Sequence, residues 1–185
     1  TGASKGIGEG IARAFAKHGA NLVLAARGSE TQALAQSLCE SGAKAIAVKM
    51  DVSDMASVQA GYEAAVQAFG GVDILVSNAG ICRLGDFLTQ SDADRDAHLD
   101  INVKGAWNTC KAVLPGMVAR KWGRVVIVQR HGRHGGRPRR SCLCHEQGRA
   151  GGPYQGAGAR VCALCECKRY LPGLCAHPHG AGHGA

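Results

Sequence analysis

The sequence predicts an α/β fold, a doubly wound parallel sheet, on three observations. Short apolar runs of strand length alternate with longer segments of helical period, a glycine-rich turn opens directly into the first helix, and the alternation persists as far as Val128. Strands joined through helices of this length need right-handed crossovers, so the sheet is parallel and covered on both faces. Ligands of such sheets bind beyond the carboxyl ends of the strands, where the strand order reverses.

The elements follow in order. Ile7, Ile11, Ala14 and Phe15 recur at helical spacing and stop at Gly19, which predicts a first helix from about Ile7 to His18. Asn21 to Ala25 is a short apolar run of strand length. Ser29 is then positioned to cap a second helix through Leu34 and Leu38 that ends at Gly42. Ala45 to Met50 reads as a strand. Ser53 or Asp54 starts a third helix with Val58, Tyr62, Ala65, Val66 and Phe69 on one face, and after Gly70-Gly71 comes the strand Val72 to Val76. Ser91 caps a longer helix that reaches Lys121 with a bend or break at Pro115, and Arg124 to Val128 is the last clear strand.

Composition divides the chain near residue 128. The 185 residues carry 22 Lys plus Arg against 14 Asp plus Glu, a formal net charge of +8, yet residues 1–128 hold 13 basic and 12 acidic side chains. Residues 129–185 hold 9 basic and 2 acidic ones, 6 of the 9 Cys and 6 of the 8 His, while Val, Ile, Leu, Phe and Met supply only 5 of the 57. So few large apolar side chains do not offset the entropy of ordering, and this tail is expected to be disordered. One sizeable core fits within the length, and no apolar run approaches the roughly 18 to 20 residues of a membrane-spanning helix. The chain opens on Thr1 rather than Met, with the expectation that it starts inside a longer gene product.

Thr1-Gly2-Ala3-Ser4-Lys5-Gly6-Ile7-Gly8 has the make-up of a phosphate cradle: glycines let the backbone approach a pyrophosphate, and the helix N-terminus turns unpaired N–H groups toward it. A tight turn packing a helix on a sheet is the plainer alternative. Asp51-Val52 follows the third predicted strand position, Asn78-Ala79-Gly80 the fourth, and Asn102-Val103-Lys104-Gly105 lies in the long helix. In this order and spacing, residues 1–128 resemble the short-chain dehydrogenase/reductase family, of bacterial type, whose sheet is Rossmann-like.

The resemblance implies that Gly2, Ser4, Lys5, Gly6, Ile7 and Gly8 serve the phosphates, Asp51 and Val52 the adenine, and Asn78, Ala79 and Gly80 the adenine ribose side. Asn102 matches the family's catalytic asparagine, with a backbone-bonded helix-kink asparagine as the structural alternative. It also implies a first, central strand ahead of Thr1, a small-molecule carbonyl or alcohol substrate, a homo-oligomer (dimer or tetramer) for the full-length protein, a cytoplasmic setting, and neither nucleic acid nor membrane as partner. Charge bears on the cofactor. A carboxylate at the end of the second family strand would take the ribose hydroxyls and repel a 2′-phosphate; here the stretch reads Ala25-Ala26-Arg27, so NADP(H) is favoured over NAD(H), with Lys5 a second cation. A solvated surface role for Arg27 is the alternative.

The family's chemistry needs a serine and a Tyr-x-x-x-Lys pair, the lysine lowering the tyrosine pKa. Cys142-Leu143-Cys144-His145-Glu146-Gln147 occupies the place of that pair, and Gln129-Arg130 that of the serine, so the chain is expected to be catalytically incompetent. Cys162, Cys165 and Cys167, with Cys175, His177 and His179, could instead ligate zinc, and Arg137-Pro138-Arg139-Arg140 could contact nucleic acid. A frameshift just after Val128 explains more. In the shifted frame the codons spanning Gln129-Arg130 can spell serine, those spanning Leu143-Cys144 tyrosine and those spanning Gln147-Gly148 lysine, and the tail then reads back as family-like sequence. On that reading no metal site was selected in the tail.

Overall fold

The computed structural model describes residues 1–83, 85–129, 140–141 and 160–162. Its order is α1 (Gly6–Lys17), β1 (Leu22–Ala26), α2 (Glu30–Glu40), β2 (Ala45–Lys49), α3 (Met55–Phe69), β3 (Ile74–Ser77), β4 (Gly85–Asp86), α4 (Asp92–His98), a π-helical segment (Leu99–Lys104), α5 (Gly105–Ala119), β5 (Arg124–Gln129), β6 (Arg140–Ser141) and β7 (Arg160–Cys162). β1 and β2 pair in parallel from Leu22↔Ala45 to Ala26↔Lys49. β3 and β5 do the same from Ile74↔Arg124 to Ser77↔Ile127. The short β7 runs antiparallel on β5, and β6 antiparallel on β4.

The period of two decides what each strand face meets. Leu22 and Leu24 of β1, with Ala45 and Ala47 of β2, pack against Ala12 and Ala16 of α1 and Leu34, Ala35 and Leu38 of α2. Ala25 and Val48 point to the other face, against Val58 and Tyr62 of α3 and Ala112 of α5. Leu75 and Val125 continue that layer beneath Val113 and Met117 of α5. Helices thus cover both faces, the doubly wound arrangement expected from the alternation. α3 ends where Gly70 takes φ +81 and donates its N–H to the Val66 carbonyl.

Caps sort the sequence expectations. Asp54 accepts from Ala56 N at the start of α3, and Ser91 accepts from Asp94 N at the start of α4. Ser29 stands before α2 but makes no side-chain cap bond, because its backbone is already in the helical region (φ −83, ψ −7). The long helix is also more structured than its period suggests: α4, the π segment and α5 run on without an intervening loop, and Pro115 lies inside α5 rather than breaking it. Pro115 and Lys111 are both exposed, on the side where a carbonyl that loses its helical donor can be hydrated.

Among the described residues no strand lies between β1 and β3, and the sheet falls into two parallel pieces. Thr1 to Ala3 bridge them at their carboxyl ends. The Thr1 amine donates to the Val76 carbonyl at 2.7 Å, and the Ala3 N–H to the Ala25 carbonyl at 3.3 Å. No described helix is long and apolar enough to cross a membrane.

Candidate functional site: the carboxyl ends of the strands

The loop from Thr1 to Lys5 is tied to the turn after β3 by a small polar network. Thr1 Oγ1 accepts from the N–H groups of Asn78 and Ala79, both at 3.0 Å, and Asn78 Nδ2 donates to the carbonyls of Thr1 and Gly2 at 3.0 and 3.2 Å. Gly2 has φ +63, and a Cβ there would come within 2.9 Å of Ala79 Cα. At Gly8 a Cβ would run into the Gly2 carbonyl and stand 2.7 Å from Asn78 Nδ2. Those two positions therefore exclude side chains, and the first turn of α1 sits directly on the loop. Lys5, at the N-cap, makes no side-chain cap bond, so no side chain of the cap residue satisfies the leading amides of α1 around Gly6, Ile7 and Gly8. Such a terminus attracts an anion. Ser4 is half-buried beside it, and Ile7 is exposed.

At the end of β1 a cleft of about 280 Å³ is lined by Arg27, Gly28, Ser29, Thr31, Gln32, Ala47 and Lys49. The strand register explains it: Ala26 is paired with Lys49, so the cation closing β2 lies beside the one that follows β1. Spacing along the chain does not announce Lys49, because its nearness to Arg27 comes from the pairing of two strands. Two carboxylates temper the two cations: Glu30 folds its side chain over Gly28, and the charge of Arg27 also acts on Asp51.

Asp51 lies just past β2. Its Oδ1 accepts from the Ser53 hydroxyl at 2.7 Å and the Ser53 N–H at 2.9 Å. These two bonds, and then the charge of Arg27, hold the carboxyl below its ordinary value, against partial burial that raises it. Val52 is buried in the core with Met50, Val58 and Ala112, and its carbonyl accepts from Asn108 Nδ2 at 2.9 Å. Of the two residues, Asp51 carries the polar side chain.

Asn102 stands in the π-helical segment. Its Oδ1 accepts from Ile81 N–H at 2.8 Å, and its Nδ2 donates to the Ile81 carbonyl at 2.9 Å. The side chain is thus bonded to backbone, as in the structural alternative, and the backbone of these two bonds belongs to the loop after Gly80. A Cβ on Gly80 would stand 3.2 Å from Asn102 Oδ1, so this turn and the π segment are in close approach. π turns recur at functional sites because the extra residue re-aims a side chain.

The structure therefore brings Gly2, Gly8, Asn78, Ala79, Gly80 and Asn102 into one contiguous wall, with Arg27 and Asp51 at the neighbouring strand ends. Residues 142–147, where the resemblance calls for Tyr-x-x-x-Lys, lie outside the described residues, as do Arg130, residues 137–139 and residues 163–179. Among the described residues no group of three or more His, Cys, Asp or Glu is arranged to hold a metal ion.

Comparisons with known proteins agree with this geometry. Residues 1–140 match the family model described as short chain dehydrogenase. Oxidoreductase UcpA of Salmonella typhimurium is 58% identical over 128 residues, covering 69% of this chain and 49% of that protein, so the chain spans about half the length of this curated relative. An alcohol dehydrogenase from the archaeon Thermococcus sibiricus, complexed with 5-hydroxy-NADP, superposes with a TM-score of 0.65 at 34% identity, over 68% of this chain and 54% of that one. A metagenomic short-chain oxidoreductase in complex with NADP gives a TM-score of 0.66 at 32% identity, over 69% and 59%.

Proposed function

This chain belongs to the short chain dehydrogenase family, and from that premise we propose that it carries the dinucleotide-binding half of an NADP(H)-dependent oxidoreductase of carbonyl and alcohol groups, working in the cytoplasm. The observation that carries the cofactor choice is the cleft where Arg27 and Lys49 meet. Arg27 and Lys49, although tempered by the carboxylates of Glu30 and Asp51, line the cleft with two cations that can pair with the doubly charged 2′-phosphate of NADPH, which the bare ribose hydroxyls of NADH do not offer. Two similar structures hold an NADP-type molecule, which supports the same choice.

In this reading Gly2, Ser4, Gly6, Ile7 and Gly8 hold the pyrophosphate on the N-terminus of α1, with Lys5 adding charge. Asp51, backed by Val52, borders the adenine, and Asn78, Ala79 and Gly80 the adenine ribose. The bound nicotinamide supplies the hydride. What this chain lacks is the proton chemistry beside it. Asn102 does not titrate near neutral pH, and loss of the acid and of the serine's hydrogen bond each costs on the order of a hundredfold or more in rate. We therefore expect no turnover by the chain as it stands, with the shifted reading frame supplying serine, tyrosine and lysine. A non-catalytic cofactor-binding protein is the second reading, favoured by the commitment of the Asn102 side chain to Ile81.

A homo-oligomer belongs to the same proposal. Leu99, Val103 and Trp107 follow each other at four-residue steps along the π segment and α5, and are 45%, 56% and 69% exposed. That apolar stripe suits a second copy of the chain.

The test is a pair of fluorescence titrations. NADPH is expected to bind at least about tenfold more tightly than NADH, since one charge-assisted bond to phosphate contributes about 1.5–3 kcal/mol. Equal affinities would overturn the cofactor assignment.

A further inference from the structure

Buried at 2% exposure where α4 meets the π segment, His98 is among the most enclosed side chains of the described residues, and the dinucleotide site does not use it. Both ring nitrogens are engaged. Nε2 accepts from the Arg83 N–H at 2.9 Å, and Nδ1 lies 2.6 Å from the Asp94 carbonyl. A carbonyl only accepts and an N–H only donates, so the ring must be neutral with its proton on Nδ1. Four residues on, Asn102 takes both backbone groups of Ile81. Two side chains of one helical run therefore fix the backbone of Ile81 to Arg83, where the chain leaves Asn78-Ala79-Gly80. Outside the ring, the Arg83 guanidinium pairs with the Asp94 carboxylate, whose other oxygen accepts from Ser91 Oγ, which closes the same clamp at the surface.

We propose that His98 is a positioning residue: through its Nε2 bond to Arg83 it sets the wall of the dinucleotide site formed by Asn78 to Arg83 and keeps Asn102 in register with Ile81. The inference rests on the proposed function for what that wall binds, but the bond itself is independent of it. A merely space-filling histidine would tolerate an apolar side chain of similar bulk. A positioning one requires an acceptor at the place of Nε2, which a glutamine supplies and a leucine does not.

The experiment uses the whole chain, His98→Leu and His98→Gln. Amide hydrogen exchange at Arg83 and Ile81 is read by NMR, and NADPH affinity by fluorescence. In His98→Leu, exchange at Arg83 is expected to rise about tenfold or more, with a smaller rise at Ile81, and NADPH affinity to fall about three- to tenfold; His98→Gln restores most of each. Unchanged exchange in His98→Leu, or no recovery in His98→Gln, overturns the proposal. If the parent chain binds no NADPH, the cofactor reading fails while the exchange data still decide the role of His98. Should His98→Leu not fold, the imidazole nitrogens of the unmodified chain decide instead. A proton on Nδ1 with coupling across the hydrogen bond from Nε2 to the Arg83 amide supports the role, and a proton on Nε2 refutes it.

Discussion

Arg27, Lys49 and Glu30 set a local contest of charge, and each term can be changed alone. Arg27→Ala is expected to weaken NADPH binding about tenfold or more while leaving NADH nearly untouched, and Ala26→Asp combined with Arg27→Ala to reverse the preference. Glu30→Gln should tighten NADPH modestly, by about two- to fivefold, the size of a partly exposed charge interaction. Titrations with both cofactors check all three. Asp51 adds a pH signature. Its folded pKa is depressed by the Ser53 bonds, so the stability it contributes is present above about pH 4 and lost as pH falls further through the folded value. Asp51→Asn should therefore cost about 1 kcal/mol or less at neutral pH and show a shallower acid limb in denaturation followed by circular dichroism. The positions of Asp51 and the glycine loop at the carboxyl ends of the strands were legible from motif spacing, and that of Arg27 from its place just past a predicted strand. Lys49 was not, since its closeness to Arg27 comes from the Ala26↔Lys49 register of two strands.

At the level of elements, helical period and glycine stops located α1 to α3 within a residue or two, because amphipathic periodicity and burial point the same way there. The run after Ser91 departs from that rule. Its π segment answers to contacts with the Ile81–Arg83 loop, a tertiary demand that no local pattern announces. Pro115 was readable as a breaker only so long as its exposed face was unknown. α5 is the element both pieces of the core share, through Ala112 on one side and Val113 and Met117 on the other. Met117 is fully buried, and Met117→Ala should destabilise by about 2–5 kcal/mol in urea denaturation, the range for large-to-small core changes. On the exposed apolar stripe of the run, Trp107→Glu is expected to lower the mass seen in sedimentation velocity without lowering the unfolding midpoint. A loss of fold instead would assign Trp107 to the core.

For the whole molecule, the backbone of Thr1 to Ala3 and the packing of α5 join two parallel sheet pieces, and among the described residues no strand pairs with the free edges of β1 and β3. Joining an extended apolar segment ahead of Thr1 should raise the unfolding midpoint and reduce aggregation. The reading frame is tested in the gene: a codon ending in A at Leu143 and CAA at Gln147 allow tyrosine and lysine in the shifted frame, whereas CTG or CAG rules it out. The proposal of NADPH binding without turnover is tested most directly by following nicotinamide fluorescence of NADPH with the chain, before and after a carbonyl substrate is added. The expected result is a saturable change on binding, weaker for NADH, followed by a signal that stays constant with the substrate present. Absence of binding, or a steady decay of the NADPH signal that depends on the substrate, would contradict it.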